Sequence, residues 1–141
     1  MNKKAALEFL ESLDEGTAEA ISEWRVGCPE LVDAFVNYLY GNVYQRGGLS
    51  LRERILVTVS ALMACSDKQP QLMSQVRIAA KNGVSREDLI EVAHQLSAFV
   101  GFSTALNAMS IADAVIENLE IDSKSRVEVN INGNEATLPN A

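Results

Sequence analysis

From residue 5 to residue 119, apolar side chains recur at every third or fourth position in short runs, and Gly, Pro, Ser or Asn punctuates each run. That period belongs to the α-helix and not to the two-residue repeat of a strand, so the stretch predicts an all-α chain. The runs amount to a compact bundle of about six to seven helices.

The punctuation places the helices. Residues 5–13 form a short amphipathic segment ending at Asp14-Glu15-Gly16, and Thr17 is positioned to cap the next helix, which runs through Trp24. Gly27-Cys28-Pro29 breaks the chain, with Pro29 suited to a first helical position. Leu31, Phe35 and Leu39, with Val32 and Val36 beside them, then repeat at helical spacing through Tyr40. Gly41 and Gly47-Gly48 bracket an irregular connector. Ser50 and Glu53 have the spacing of a capping box, in which each side chain satisfies a backbone donor of the other. The helix they open carries Leu51, Ile55, Val59, Leu62 and Met63, apolar around much of its circumference, and is expected at the centre. A turn over residues 66–70 precedes a helix with Leu72, Val76, Ala79 and Ala80, which Asn82-Gly83 ends. Ser85 starts another, with Glu87 and Asp88 favourably placed in its first turn. Gly101 marks a bend or a close crossing before the last long helix, which carries Leu106, Met109, Ala112, Val115 and Leu119.

After Ile121 the pattern changes. Residues 126–131 alternate polar and apolar and are followed by Asn132-Gly133, a hairpin signal with a return strand at residues 135–138. The expected division is therefore a helical domain, 1–121, and a C-terminal β-hairpin or flexible tail, 122–141. A lone hairpin is marginal in water and needs a surface to dock on.

The 141 residues suit a single core. A net charge of −7 with no basic run argues against nucleic acid as a partner, because phosphate affinity comes from clustered Lys and Arg. The N-terminus lacks an apolar core of the signal-peptide type, and the apolar run at residues 55–65 is too short to span a membrane. Cys28 and Cys65 are far apart and outside any CxxC spacing, so a cytoplasmic protein with reduced thiols is expected. One His and two Cys, unclustered, do not make a zinc site, and no motif calls for a cofactor.

Three blocks between Tyr38 and Ile116 carry a family likeness. Tyr40-Gly41-Asn42-Val43-Tyr44-Gln45-Arg46-Gly47-Gly48-Leu49 is similar to W-G-E-V-W-x-R-P-G-L, and Arg54 matches the Arg that follows it. Gln71-Leu72 through Gln75, then Ala79 and Asn82-Gly83, is similar to E-L-x-x-H-x-x-x-A-x-N-N-G. Glu87-Asp88-Leu89-Ile90-Glu91-Val92, then Phe99 and Gly101, is similar to E-E-I-x-E-V followed by Y-x-G. In order and spacing the chain resembles the carboxymuconolactone decarboxylases and their alkylhydroperoxidase-D-like relatives. The resemblance implies an all-α fold that assembles as a homo-oligomer, trimer or hexamer, and a lyase acting on a small carboxylated ring or lactone.

The chemistry that this implies needs a group to hold carboxylates, for which the bidentate fork of Arg is suited, and a group to move a proton. Arg46 and Arg54 remain to bind an anionic metabolite, although a salt bridge to a neighbouring Glu or to a partner subunit explains them as well. The Glu of the first block is Asn42 here, and the His of the second is Gln75; both keep hydrogen bonding and lose proton exchange near neutral pH. His94, the only imidazole, lies one residue from Gln95, the position that matches the family pocket, or about 100° around the helix, which suits a displaced pocket, a contact with another subunit or a surface position equally. Glu53 is a candidate base that its capping role already explains, and Glu91 one that a solvated helix face explains. Tyr44, with Tyr40, Phe99 and Phe102, suits either an apolar pocket wall or core packing.

The peroxidase relatives carry a CxxC pair where this chain has Lys68 and Gln71, so that redox pair is absent. Cys65, three residues before Lys68, is the alternative nucleophile for a thiol-dependent peroxidase, or an inert buried thiol. A non-catalytic oligomer that binds an anionic metabolite is the third reading. Catalytic candidates are thus His94, Glu53 and Cys65, and binding candidates Arg46, Arg54, Asn42, Gln75, Gln95 and Tyr44.

Overall fold

A computed structural model describes residues 3–65 and 67–134, with side chains described through residue 127. Its helices are α1 (Lys3–Leu13), α2 (Glu15–Gly27), α3 (Pro29–Leu39), α4 (Leu51–Met63), α5 (Gln69–Lys81), α6 (Arg86–Val100) and α7 (Phe102–Asn134), with one 3-10 turn (Val43–Gln45) between α3 and α4. The described residues form no strand, and the all-α expectation holds.

Local chemistry sets these boundaries. Ser50 accepts from the Glu53 amide at 3.2 Å while Glu53 Oε2 accepts from the Ser50 amide at 2.6 Å, completing the expected box at the start of α4. Ser85 and Asp88 form a second box at the start of α6. Pro29 stands in the first turn of α3, and so does Pro70 in α5, which begins at Gln69 and leaves the preceding turn shorter than the sequence implies. Proline costs little there, since the first amides of a helix have no partner within it. Gly101 closes α6 at φ +86°, ψ 157°, a conformation open in practice only to glycine.

Two expectations are corrected. The cap of α2 is Asp14, not Thr17: its carboxylate accepts from the Thr17 amide at 2.8 Å and from the Thr17 hydroxyl at 2.6 Å, and Gly16 lies inside the helix. Asp is as good a cap as Thr, and this one has partners on α5 besides. The alternating stretch 126–131 is helical, not a strand, and Asn132-Gly133 falls in the last turn of α7 rather than in a hairpin. Extending an existing helix adds one hydrogen bond per residue fixed, whereas a lone hairpin must be nucleated with little to bury. The return strand at 135–138 lies outside the described residues.

α4 packs on α5, and α6 on α7; α5 joins the two pairs through α7. Ile55, Val59 and Met63 of α4 are buried among Leu72, Val76 and Ala79 of α5, Leu89 of α6, and Ala108, Ala112 and Val115 of α7. The central place expected for α4 is thus occupied on one face, while Val57 on its other side is exposed. α1, α2 and α3 pack on one another, and α2 meets α5. That last junction is held by Asp14, whose side chain has no exposed surface. It takes hydrogen bonds from Arg77 Nε at 3.1 Å and from Lys81 Nζ. Burial alone would raise its pKa, but the bonds from Lys81, Thr17 and Arg77 outweigh burial and bring it down to about 2.

Candidate functional site

The connector between α3 and α4 gathers most of the predicted binding residues. Tyr40, the residue that caps α3, is fully buried, and Tyr44 is buried in the 3-10 turn. Their rings lie 5.5 Å apart, with Phe35 edge-on to Tyr40 at 6.1 Å and Phe9 of α1 6.3 Å from Tyr44. This aromatic packing anchors the connector to the core. Burial raises the pKa of both phenols above the ordinary tyrosine value, against the opposing effects of the Gln75 bond on Tyr40 and of Thr58 and Arg54 on Tyr44. Both therefore stay protonated at neutral pH.

Gln75, on α5, is 5% exposed and donates from Nε2 to the Tyr40 hydroxyl at 3.0 Å. Its Oε1 is buried with no partner among the described residues. Thr58 Oγ1 donates to the Arg54 carbonyl at 2.9 Å, which leaves the Tyr44 hydroxyl, 3.2 Å away, to donate to Thr58. Arg54, half-buried on the first turns of α4, sends Nη2 to the carbonyls of Arg46 at 2.9 Å and Gly47 at 3.0 Å. Its Nε is buried without an acceptor, and no carboxylate pairs with Arg54 or Arg46 among the described residues. Arg46 and Asn42 are exposed on the same connector. The ion-pair explanation of the two arginines therefore has no support within the described chain.

The remaining candidates lie elsewhere. Glu53, next to Arg54, keeps its carboxylate on the Ser50 amide, and that bond holds its pKa below the ordinary value. His94 lines an open groove of about 670 Å³ between α6 and α7, with Ile90, Met109 and the Arg86–Asp113 ion pair. Gln95 and Glu91 line a smaller groove of about 280 Å³ between α4 and α6, with Ser60 and Asp88. Neither groove includes Arg46, Arg54 or Gln75. One chain thus brings Arg46, Arg54 and Asn42 onto one connector, packs Tyr44 and Gln75 behind it, and sets His94 and Gln95 on different faces of α6. Cys65 is exposed beyond the end of α4, outside any disulfide, as is Cys28. Lys68, three residues after Cys65, is paired with Asp67 at 2.6 Å. No set of three or more His, Cys, Asp or Glu among the described residues is arranged to hold a metal ion.

Sequence reasoning misses two members of this arrangement. Thr58 reads only as a polar interruption of an apolar helix, although its place four residues after Arg54 puts it on the same face. Tyr40 reads as a wall, and its bond to Gln75 spans 35 residues, which no local pattern reports.

Fold and connector together define an all-α domain whose candidate site presents guanidinium and amide groups. The sequence pattern described as the Carboxymuconolactone decarboxylase family matches residues 29–114, and the chain belongs to that family. It is similar to a 4-carboxymuconolactone decarboxylase of Acinetobacter baylyi, 31% identical over 84 residues, which is 60% of this chain and 62% of that protein. It is also similar to an uncharacterized 15.0 kDa protein of Paracoccus denitrificans, 31% identical over 77 residues, 54% of this chain and 58% of the other. The chain thus matches somewhat less than two thirds of the length of these relatives.

Proposed function

We propose that the protein is a decarboxylase-like lyase with a divergent site, acting on a small carboxylated ring or lactone held at the α3–α4 connector. The observation that carries this reading is the half-buried Arg54 guanidinium, with no carboxylate partner and with Nε lacking an acceptor among the described residues. A partly desolvated cation of this kind favours an anion, and Arg46 on the same connector adds a second positive charge. The likeness to a 4-carboxymuconolactone decarboxylase supports a carboxylated lactone as the anion.

In such a reaction the bond from ring carbon to carboxylate breaks, CO2 leaves with the electron pair remaining on the carbon, and a proton takes its place. Asn42, exposed on the connector, orients a ligand, and neither it nor the buried Gln75 exchanges that proton. The proton comes either from His94, carried to the connector by α6 of another subunit, or from water at the exposed rim. Incubating the pure protein with 4-carboxymuconolactone and following CO2 release tests the reading. Release no faster than in buffer would remove the lyase activity on that compound.

A second reading, binding without turnover, is favoured by one observation: neither Asn42 nor Gln75 exchanges a proton near pH 7. It predicts a rise in melting temperature with the same lactone and no CO2 release. A thiol-dependent peroxidase has less support, because the cation beside Cys65 is already paired with Asp67. The exposed apolar side chains on α3 and at the α6–α7 corner support assembly into a homo-oligomer.

A further inference from the structure

The loop at residues 46–50 is exposed throughout, contains Gly47 and Gly48, and has Gly48 at φ +98°. Little holds it from inside: the Arg46 amide bonds back to Val43, and the next anchor is the Ser50–Glu53 box. Between those two ends, the backbone is fixed by Arg54, whose Nη2 reaches the carbonyls of both Arg46 and Gly47. The Arg54 carbonyl accepts from the Thr58 hydroxyl, which in turn accepts from the Tyr44 hydroxyl. The Arg46 guanidinium, by contrast, has no hydrogen-bond partner among the described residues.

From this geometry we infer that the two arginines divide the work, and that Arg54 is a positioning residue that sets the loop from which Arg46 grasps a carboxylate. The inference rests on the connector being an anion site, and it adds that Arg54 acts there through the two Nη2 bonds to the loop as well as through its charge. Lysine keeps the charge, but its ammonium ends one bond nearer the backbone than Nη2 and lacks the planar group that fixes the direction of the two Nη2 bonds. A loop left without this clamp samples many conformations, and ordering it on binding lowers affinity.

The test uses phthalate, a planar ring dicarboxylate, as the probe in calorimetric titrations of the full chain. Arg54→Lys is expected to weaken binding about tenfold, close to the loss from Arg46→Gln, with the double variant losing no more than about tenfold in all. Amide exchange at Gly47, Gly48 and Leu49 is expected to speed up in Arg54→Lys while the α4 amides stay protected. Gly48→Ala, which strains the loop at its positive φ and leaves both arginines in place, is expected to weaken binding in the same way. Wild-type affinity in Arg54→Lys, or losses that add in the double variant, would overturn the positioning role. A wild-type chain that ignores phthalate would overturn the anion-site reading on which the inference stands.

Discussion

Asp14 shows how one side chain carries several tasks. It caps α2, ties α2 to α5, and remains ionised with no exposed surface because Thr17, Arg77 and Lys81 surround it. Its folded pKa of about 2 lies below the ordinary 3.8, so its contribution is complete above pH 4 and is lost as pH falls towards 2. That contribution is about 2 kcal/mol. Denaturant midpoints should therefore be flat in this respect from pH 7 to 5 and fall between pH 4 and 2, and in Asp14→Asn the drop attributable to this group should disappear. A second residue-scale prediction concerns Gln75, whose Oε1 is buried and unpartnered. Replacing both members of a buried polar pair by apolar groups of similar shape is nearly neutral. Tyr40→Phe with Gln75→Met should then melt within about 1 kcal/mol of the wild type. A much larger loss in thermal melts would mean that the pair holds the connector together.

At the scale of elements, much was legible in the sequence, because capping chemistry is local. The Ser50 box, Pro29 in the first turn of α3 and the stop at Asn82-Gly83 depend on residues within a turn of one another. The strand expected at 126–131 failed for the same local reason: a short alternation cannot outweigh a helix arriving from its N-terminal side. The candidate site was legible in its residue types but not in its arrangement. The sequence points to Arg46 and Arg54, whereas the clamp between them and the Gln75–Tyr40 bond exist only in the folded chain. The sharp corner between α6 and α7 offers a test at this scale. Gly101 has φ +86° and ψ 157°, so Gly101→Ala should cost about 1–3 kcal/mol, although a methyl group there meets no other atom within 4 Å. Equal melting curves for variant and wild type would show that the corner relaxes freely.

The whole molecule leaves unusually large apolar side chains in solvent. Phe99 is 80% exposed, Phe102 74% and Leu106 70%, all at the α6–α7 corner, and Leu31 and Tyr38 are exposed along α3. Groups of this kind on a small chain mark contact surfaces more often than chance. The protein is expected to run as an oligomer in light scattering, and Phe102→Glu with Leu106→Glu to reduce its mass while leaving its helical circular dichroism intact. An unchanged mass would place the assembly contact elsewhere, and a monomeric wild type would remove it. No helix among the described residues is long and apolar enough to cross a membrane, so these side chains are not read as a span.

The ties from Asp14 to Arg77 and Lys81 join positions 63 and 67 residues apart, and they bear on where this chain can be cut. The family match begins at residue 29, after α1 and α2, yet Asp14 supplies the counter-charge for two basic residues inside the matched segment. Ala6 and Leu10 of α1 belong to the same core as Tyr40. The first two helices and the matched region are therefore expected to unfold as one cooperative unit. A fragment starting at residue 29 is expected to lose the single sharp melting transition of the full chain. If it melted as sharply and at the same temperature, the N-terminal helices would be an independent addition to a domain that folds without them.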